Sequence, residues 1–294
     1  MADSSIRLKI RDDRFATITF DSAGRSTNLL TLDVWRDFEK ALLLLERQTE
    51  IRGVILKSGK ADVFIAGADL KLLADAAPQD PRVKAVLDLG RRVLLQLEAL
   101  PFPTCAIIDG PALGGGLEVA LACDVLLLGS NRKVEVGLPE VNFGLIPGWG
   151  GTQRLPRVVG LPVAADLLTT GRTLNAMQAA EVELGIGPIN SDDLFPSAMK
   201  VLLIDGWPAV RRQKQEWVPA AARGEFRPAS LNLSLAAREA LTTMIAGAEL
   251  TLEQALAREA ECFLRLAGST ESRKLIANFF AARQPAFNHS QDRA

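Results

Sequence analysis

Apolar positions along the first half of the chain switch period from two to three or four and back. Arg14 to Phe20, "RFATITF", alternates as a strand does, and "DSAGRSTN" after it has the small and polar residues of a loop. Val34, Trp35, Phe38, Ala41, Leu42 and Leu45 then recur three or four apart, which predicts an amphipathic helix over Leu32 to Leu45. "GVILKS" (Gly53 to Ser58) predicts a strand. A long helix follows from about Arg82 to Leu100, bounded by the prolines of "LPFPT", which cannot continue it. Thr104 to Ile108 predicts the next strand, a glycine-rich stretch runs into another helical pattern, and Val125 to Leu128 and "RKVEVGLPE" read as extended pieces. Alternation of this kind predicts an α/β fold. After about Gly150 the pattern becomes helical almost throughout, clearest in "LPVAADLLTTG", "NAMQAAEVELG" and "EQALAREAECFLRLAG". The organisation expected is a mixed core over residues 1–200 and a helical C-terminal region over 201–294, with an irregular insertion near 206–230 rich in Pro, Arg, Trp and Ala.

Composition narrows the function classes. At 294 residues, 48% hydrophobic and 23% charged, the chain can bury a sizeable core and has the make-up of an ordinary globular protein. Its apolar runs, such as Ala41 to Leu45, are far shorter than the roughly 20 residues a membrane span needs, so no membrane partner is expected. The N-terminal "MADSSIRLKIRDDRF" has neither the apolar core of a secretory signal nor the acid-poor character of a transit peptide, and a cytoplasmic location is expected. Thirty-four basic against 35 acidic residues leave a net charge of −1, with no general attraction to nucleic acid. An RNA-binding or scaffold role would have to rest on a local patch, such as "RRQKQ" (Arg211 to Gln215) or the arginines of the tail. Cys105, Cys123 and Cys262 are odd in number and lack CxxC spacing, so they read as reduced core thiols, with no metal site. The one histidine, His289, lies in a polar tail, which argues against Ser-His-Asp chemistry.

Candidate chemistry sits in three places. In "DGPALGGGLEVALACD" (Asp109 to Asp124) the triplet Gly114 to Gly116 precedes a helical pattern, so its backbone can approach a ligand closely and free N–H groups of the first turn can face an anion. The Gly-Lys-Ser/Thr ending of a phosphate loop and the G-x-S-x-G elbow are both missing, and an oxyanion suits the site better than a nucleotide phosphate. Tight backbone packing would explain the triplet as well. Glu118, alone among apolar neighbours in the first helical turn, is either a structural acid favoured by the helix dipole or a buried working one. Glu140 in "GLPEVNFG" is an exposed loop acid unless the intervening strand returns it to Glu118, when the two would make the paired carboxyls of acid–base chemistry. In "VFIAGADLK" a small-residue turn at Ala66, Gly67 and Ala68 offers further N–H donors, and two such donors on one developing oxyanion would stabilise acyl chemistry.

Together "FIAGADLK" (Phe64 to Lys71), "GPALGGGLEVALACD" (Gly110 to Asp124) and "GLPEVNFGLIPGWGGTQRLPRVVG" (Gly137 to Gly160) resemble the enoyl-CoA hydratase/isomerase, or crotonase, family, with weaker similarity from about residue 5 to 200. "TESRKLIANFFAARQPAF" is similar to the end of the hydratase portion of bifunctional fatty-acid oxidation enzymes. The resemblance implies a spiral of ββα units followed by C-terminal helices, and hydration of trans-2-enoyl-CoA to 3-hydroxyacyl-CoA. It places the oxyanion hole on the N–H groups of Ala68 and Gly115 and the catalytic pair on Glu118, as base, and Glu140, as acid. It also places coenzyme A along Ala66, Leu70 and Lys71, with Lys71 or Arg25 near its phosphates, although solvated surface roles would suit those two side chains as well. No cofactor is implied beyond the coenzyme A of the acyl thioester, and the implied assembly is a homotrimer or homohexamer. Isomerase, hydrolase, decarboxylase or lyase chemistry on a CoA ester is the alternative, because a fold does not fix a reaction.

Overall fold

The computed structural model describes residues 4–208, 210–211 and 233–283. Most of the 206–230 insertion, most of "RRQKQ" and the tail with His289 fall outside the described residues.

A six-stranded sheet forms the centre, in the order β1 (Ile6–Ile10), β2 (Phe15–Phe20), β3 (Gly53–Ser58), β4 (Thr104–Ile108), β6 (Val125–Gly129), β8 (Ile186–Ile189). The β1–β2 pair is antiparallel and the rest is parallel. The middle strands are buried on both faces, which is why they read as continuous apolar runs. Alternation still sorts their side chains. Val54, Leu56, Ala106, Ile108, Leu126 and Leu128 enter the main core, whereas Ile55, Cys105, Ile107 and Leu127 face the opposite side. Helix α8 (Ser191–Leu202) covers that second face with Leu194, Ala198 and Leu202.

The spiral is visible in how each strand of the large sheet hands the chain to a second, smaller track. After β3 comes an isolated parallel bridge at Ile65, after β4 comes β5 (Ala112–Leu113), and after β6 comes β7 (Val136–Gly137). Ile65 pairs with Ala112, and Ala112 pairs with Val136, so three stretches of backbone run side by side in register. Each track then enters a helical segment: the short α2 (Leu70–Ala74) and the long α3 (Pro81–Ala99), then α4 (Gly115–Leu121), then a 3-10 turn (Pro139–Phe143) and α5 (Gly151–Val159).

Local chemistry fixes these boundaries. Helix α1 (Leu32–Glu46) starts at Thr31, whose hydroxyl accepts the Val34 N–H, and buries the apolar stripe of its sequence against α3 and the sheet. Helix α3 starts at Asp80, whose carboxylate accepts the Arg82 N–H, with Pro81 at the position where a missing N–H costs nothing. The buried amide of Asn28 donates to the Phe20 and Phe64 carbonyls and the Ser58 hydroxyl, and its oxygen accepts the Ser22 N–H. One side chain thus ties the loop after β2 to the stretch leading into Ile65, and sets where the Ala66–Ala68 turn sits.

Beyond α5 the chain is helical through α6 (Leu161–Thr170) and α7 (Ala176–Glu181), but β8 breaks the helical run expected after Gly150. That strand is half-exposed and carries Gly187 and Pro188, so no periodicity marks it. After α8 the described residues resume with α9 (Leu235–Gly247), α10 (Leu252–Leu266) and α11 (Thr270–Ala282). Helix α10 opens with a reciprocal cap between Thr251 and Gln254 and packs on α9, α3 and α5; α11 lies against α2 and the 3-10 turn. Cys105, Cys123 and Cys262 are all buried. Arg211, at the edge of the insertion, is committed to Asp124 at 2.7 Å and to the carbonyls of Leu100 and Phe102. No described helix is long and apolar enough to cross a membrane.

Candidate active site

The three side-by-side tracks explain why the three sequence blocks meet. Three residues beyond Ile65, Ala112 and Val136 stand Ala68, Gly115 and Pro139. Glu118 lies one helical turn past Gly115, and Glu140 directly follows Pro139. Parallel register therefore delivers two small-residue turns and two carboxyls to one place. The turns are locked together by Leu113 N–H on the Ile65 carbonyl at 3.1 Å and Gly114 N–H on the Gly137 carbonyl at 2.9 Å.

Glycine is required at two points of this junction. Gly114 adopts φ +53°, and a Cβ there would lie 2.6 Å from Oε1 of Glu140. A Cβ on Gly116 would collide with the Ile65 carbonyl and push the two tracks apart. Close packing and anion binding, the two explanations of the triplet, both hold at once. Gly115 opens α4, so its N–H has no acceptor inside its own helix.

A cavity of about 1360 Å³ runs over this junction. Arg25, Ala66, Ala68, Leu70, Lys71, Gly115, Glu118 and Glu140 all line it, so every site residue expected from the sequence borders the same space. Arg25 and Lys71 are exposed at its edge. Apolar walls come from Leu72, Val86, Leu87, Phe143, Phe263 and Phe279, the last two from the C-terminal helices. Phe143 and Phe279 meet edge to face with ring centroids 5.1 Å apart, which joins α11 to the 3-10 turn that carries Glu140.

Glu118 is buried, and its Oε1 accepts two main-chain N–H groups, from Trp149 and Gly151, each at 2.7 Å. Among the described residues no donor reaches its Oε2. Burial, with the nearby charges of Glu259 and Glu140, pushes its pKa well above the ordinary carboxylate range, while the two N–H groups pull it back. Glu140 has a buried Oε2 with no hydrogen-bond partner among the described residues. Burial pushes its pKa up to about 8.

Glu259, on α10, is a third buried acid and lies outside the three sequence blocks that meet at the cavity. It is fully buried. Its Oε1 accepts the Gly150 N–H at 2.5 Å, and its Oε2 accepts the Thr152 N–H at 2.8 Å and the Thr152 hydroxyl at 2.5 Å. Burial raises its pKa to about 7 against those bonds and the Arg154 charge. Arg154 is itself buried, paired with both oxygens of Glu98 and donating to the Trp149 carbonyl. A signal for Glu259 does exist in the sequence: Ala255, Leu256, Cys262 and Phe263, its neighbours three and four residues away on the helix face, are all apolar and buried.

Two carboxyls with different surroundings, facing a cavity beside two turns of accessible N–H groups, can activate a water, deliver a proton and hold a carbonyl oxygen as it gains charge. Comparison with known proteins identifies the family. Residues 12–202 match the family model described as enoyl-CoA hydratase/isomerase. The chain is 38% identical over 212 residues to a fatty acid oxidation complex subunit alpha of Shewanella halifaxensis, covering 72% of this chain and 30% of that protein. Against the protein of the same name from Aliivibrio fischeri it is 35% identical over 289 residues, 92% of this chain and 41% of the relative. The chain thus spans less than half the length of these relatives. Among solved structures, an enoyl-CoA hydratase from Bacillus halodurans superposes with a TM-score of 0.72 over 94% of this chain and 100% of that one at 23% identity, which speaks for the fold alone. An enoyl-CoA hydratase from Bacillus anthracis superposes with a TM-score of 0.63 at 27% identity, covering 96% and 98%.

Proposed function

The chain belongs to the enoyl-CoA hydratase/isomerase family, and from that premise we propose that it is a lyase that adds water to trans-2-enoyl-CoA thioesters, giving 3-hydroxyacyl-CoA. The observation that carries this reading is the convergence of Glu118, Glu140 and the turns of Ala68 and Gly115 on one cavity.

In this reading the thioester oxygen accepts the N–H groups of Ala68 and Gly115. Those donors are fixed by backbone register, so they need no reorganisation as charge moves onto the oxygen. Water attacks the β-carbon and gives a proton to Glu118, the β-carbon's π electrons pass toward the thioester oxygen, and the α-carbon takes a proton from Glu140. One water is added and nothing is oxidised or reduced, so no cofactor is required beyond the coenzyme A carried by the substrate.

The division of labour follows from the surroundings of the two acids. Burial raises the pKa of Glu118 too, but the Trp149 and Gly151 N–H groups oppose that rise and anchor Oε1, which leaves Oε2 to take the proton of the water, so Glu118 is assigned the base. Glu140, with its unpartnered Oε2 and a pKa near 8, keeps its proton at neutral pH, as an acid needs. The proton belongs to a coupled set, so apparent pKa values seen in kinetics describe the set.

Coenzyme A would lie along the main chain at Ala66 and Leu70, with Lys71 and Arg25 at the cavity edge facing its phosphates. The acyl chain would enter the apolar walls. A homotrimer or homohexamer in the cytoplasm completes the reading, on the strength of the family resemblance. The test is loss of conjugated-thioester absorbance with crotonyl-CoA and longer trans-2-enoyl-CoAs. Turnover by the wild type supports hydration. Thioester binding without turnover would instead assign another CoA-ester reaction to the site.

A further inference from the structure

Glu259 has no part in the proton transfers above, yet among the described residues it is the most completely enclosed acid, at 0% exposure. Burying a carboxyl is costly, and the cost is met only by specific partners. Its partners here belong to a single turn. The chain from Trp149 to Thr152 presents four successive N–H groups as it enters α5, with Gly150 at φ +107°. The first and third point to Glu118, and the second and fourth point to Glu259. Two carboxyls thus grip one turn, and the groups interleave residue by residue.

We infer that Glu259 is a positioning residue for the hydration reaction: by holding the Gly150 and Thr152 N–H groups it fixes the Trp149 and Gly151 N–H groups that orient Glu118 over the substrate. This inference rests on the hydratase reading. It makes the C-terminal helices part of the catalytic apparatus, since α10 supplies the second grip from more than 100 residues away along the chain. Arg154 strengthens the arrangement: it donates to the Trp149 carbonyl, is neutralised by Glu98 on α3, and faces both Glu118 and Glu259. Glu140 is a further charged group that faces Glu259. Gln153, from the same turn, reaches α9 through the Thr243 carbonyl at 3.1 Å.

The inference separates geometry from folding. In Glu259→Gln one acceptor oxygen becomes an amide that points donors at donors, so the turn must shift. A displacement of about 1 Å at the base is expected to lower kcat roughly 10²-fold. Because no group proposed to hold coenzyme A or the thioester oxygen is substituted, KM and the Kd of a saturated acyl-CoA should stay within about twofold. Glu259→Asp, which keeps the charge and the acceptors, should recover part of the rate. Thr152→Val removes a single donor, so its kcat should fall only a few-fold at unchanged Kd.

The experiment is steady-state hydration of crotonyl-CoA by the wild type and these variants, with butyryl-CoA binding and thermal melting measured in parallel. A kcat loss at preserved binding and folding supports the inference. Wild-type kcat in a folded Glu259→Gln overturns it, as does a loss of binding equal to the loss of rate. Should Glu259→Gln fail to fold, Thr152→Val decides: unchanged kcat there overturns the inference. Absence of hydration by the wild type would overturn the hydratase reading itself, and is distinguishable from all of these.

Discussion

Glu118 and Glu140 face one cavity from two pieces of backbone that hold them in opposite ways. Glu118 stands in the first turn of α4, anchored through one oxygen by two N–H groups. Glu140 stands on a short 3-10 turn after a proline, with one buried oxygen that no described residue pairs. The same side chain becomes a candidate base in one place and a candidate acid in the other, and only the surroundings differ. The backbone that surrounds them was built by one device, a repeat of strand, short strand and helix, so a single scaffold rule yields two chemical roles.

The most severe way to break this comparison is to remove either acid. Glu118→Gln and Glu140→Gln should each lower kcat by roughly 10² to 10⁴-fold while circular dichroism and melting show a folded protein. Survival of activity in both variants would end the paired-acid account. Gly114→Ala attacks the boundary between the two sites: its Cβ would press on Glu140 Oε1 at a φ of +53°. A stability loss of about 1 to 3 kcal/mol in denaturant melts and a rate loss of about 10²-fold are expected.

pH sharpens the difference. The donor form of Glu140 is present below its pKa of about 8, so hydration should decline as pH rises through that value. Stability should follow the same sign. A carboxyl whose pKa rises on folding from 4.5 to about 8 binds its proton more tightly in the folded chain. The stability this provides is complete below pH 4.5 and is lost as pH rises toward 8, with Glu259 adding a similar loss toward 7. Melting temperature against pH should therefore fall less steeply over this window in Glu140→Gln than in the wild type. The smallest expected effect lies at the cavity edge: Lys71→Ala and Arg25→Ala should each raise KM only a few-fold with kcat unchanged, because exposed charges are screened.

Much of this was legible in the sequence where one rule dominates locally. Thr104 to Ile108 and Gly53 to Ser58 stand as strands with the expected bounds, because their apolar runs are short and flanked by breakers. Helix α1 follows its stripe within one residue. The three blocks that meet at the cavity were legible through their family resemblance. What pairs them was not, since β5 and β7 are two residues long and owe their existence to neighbours on adjacent tracks. Edge strands β1 and β8 were hidden by exposure, which dilutes the apolar alternation. Glu259 was missed because an acid in an amphipathic helix ordinarily faces water. Only a Gly-rich turn far away in the chain gives it a reason to be inside.

The most direct test of the central claim is the hydration of crotonyl-CoA at saturating concentration by the wild type beside Glu140→Gln, followed as loss of conjugated-thioester absorbance. The account expects rapid loss with the wild type and a rate at least about 10²-fold lower with the variant, both binding the thioester comparably. Equal rates in the two proteins, or a wild type that binds enoyl-CoA and leaves it unchanged, would contradict it.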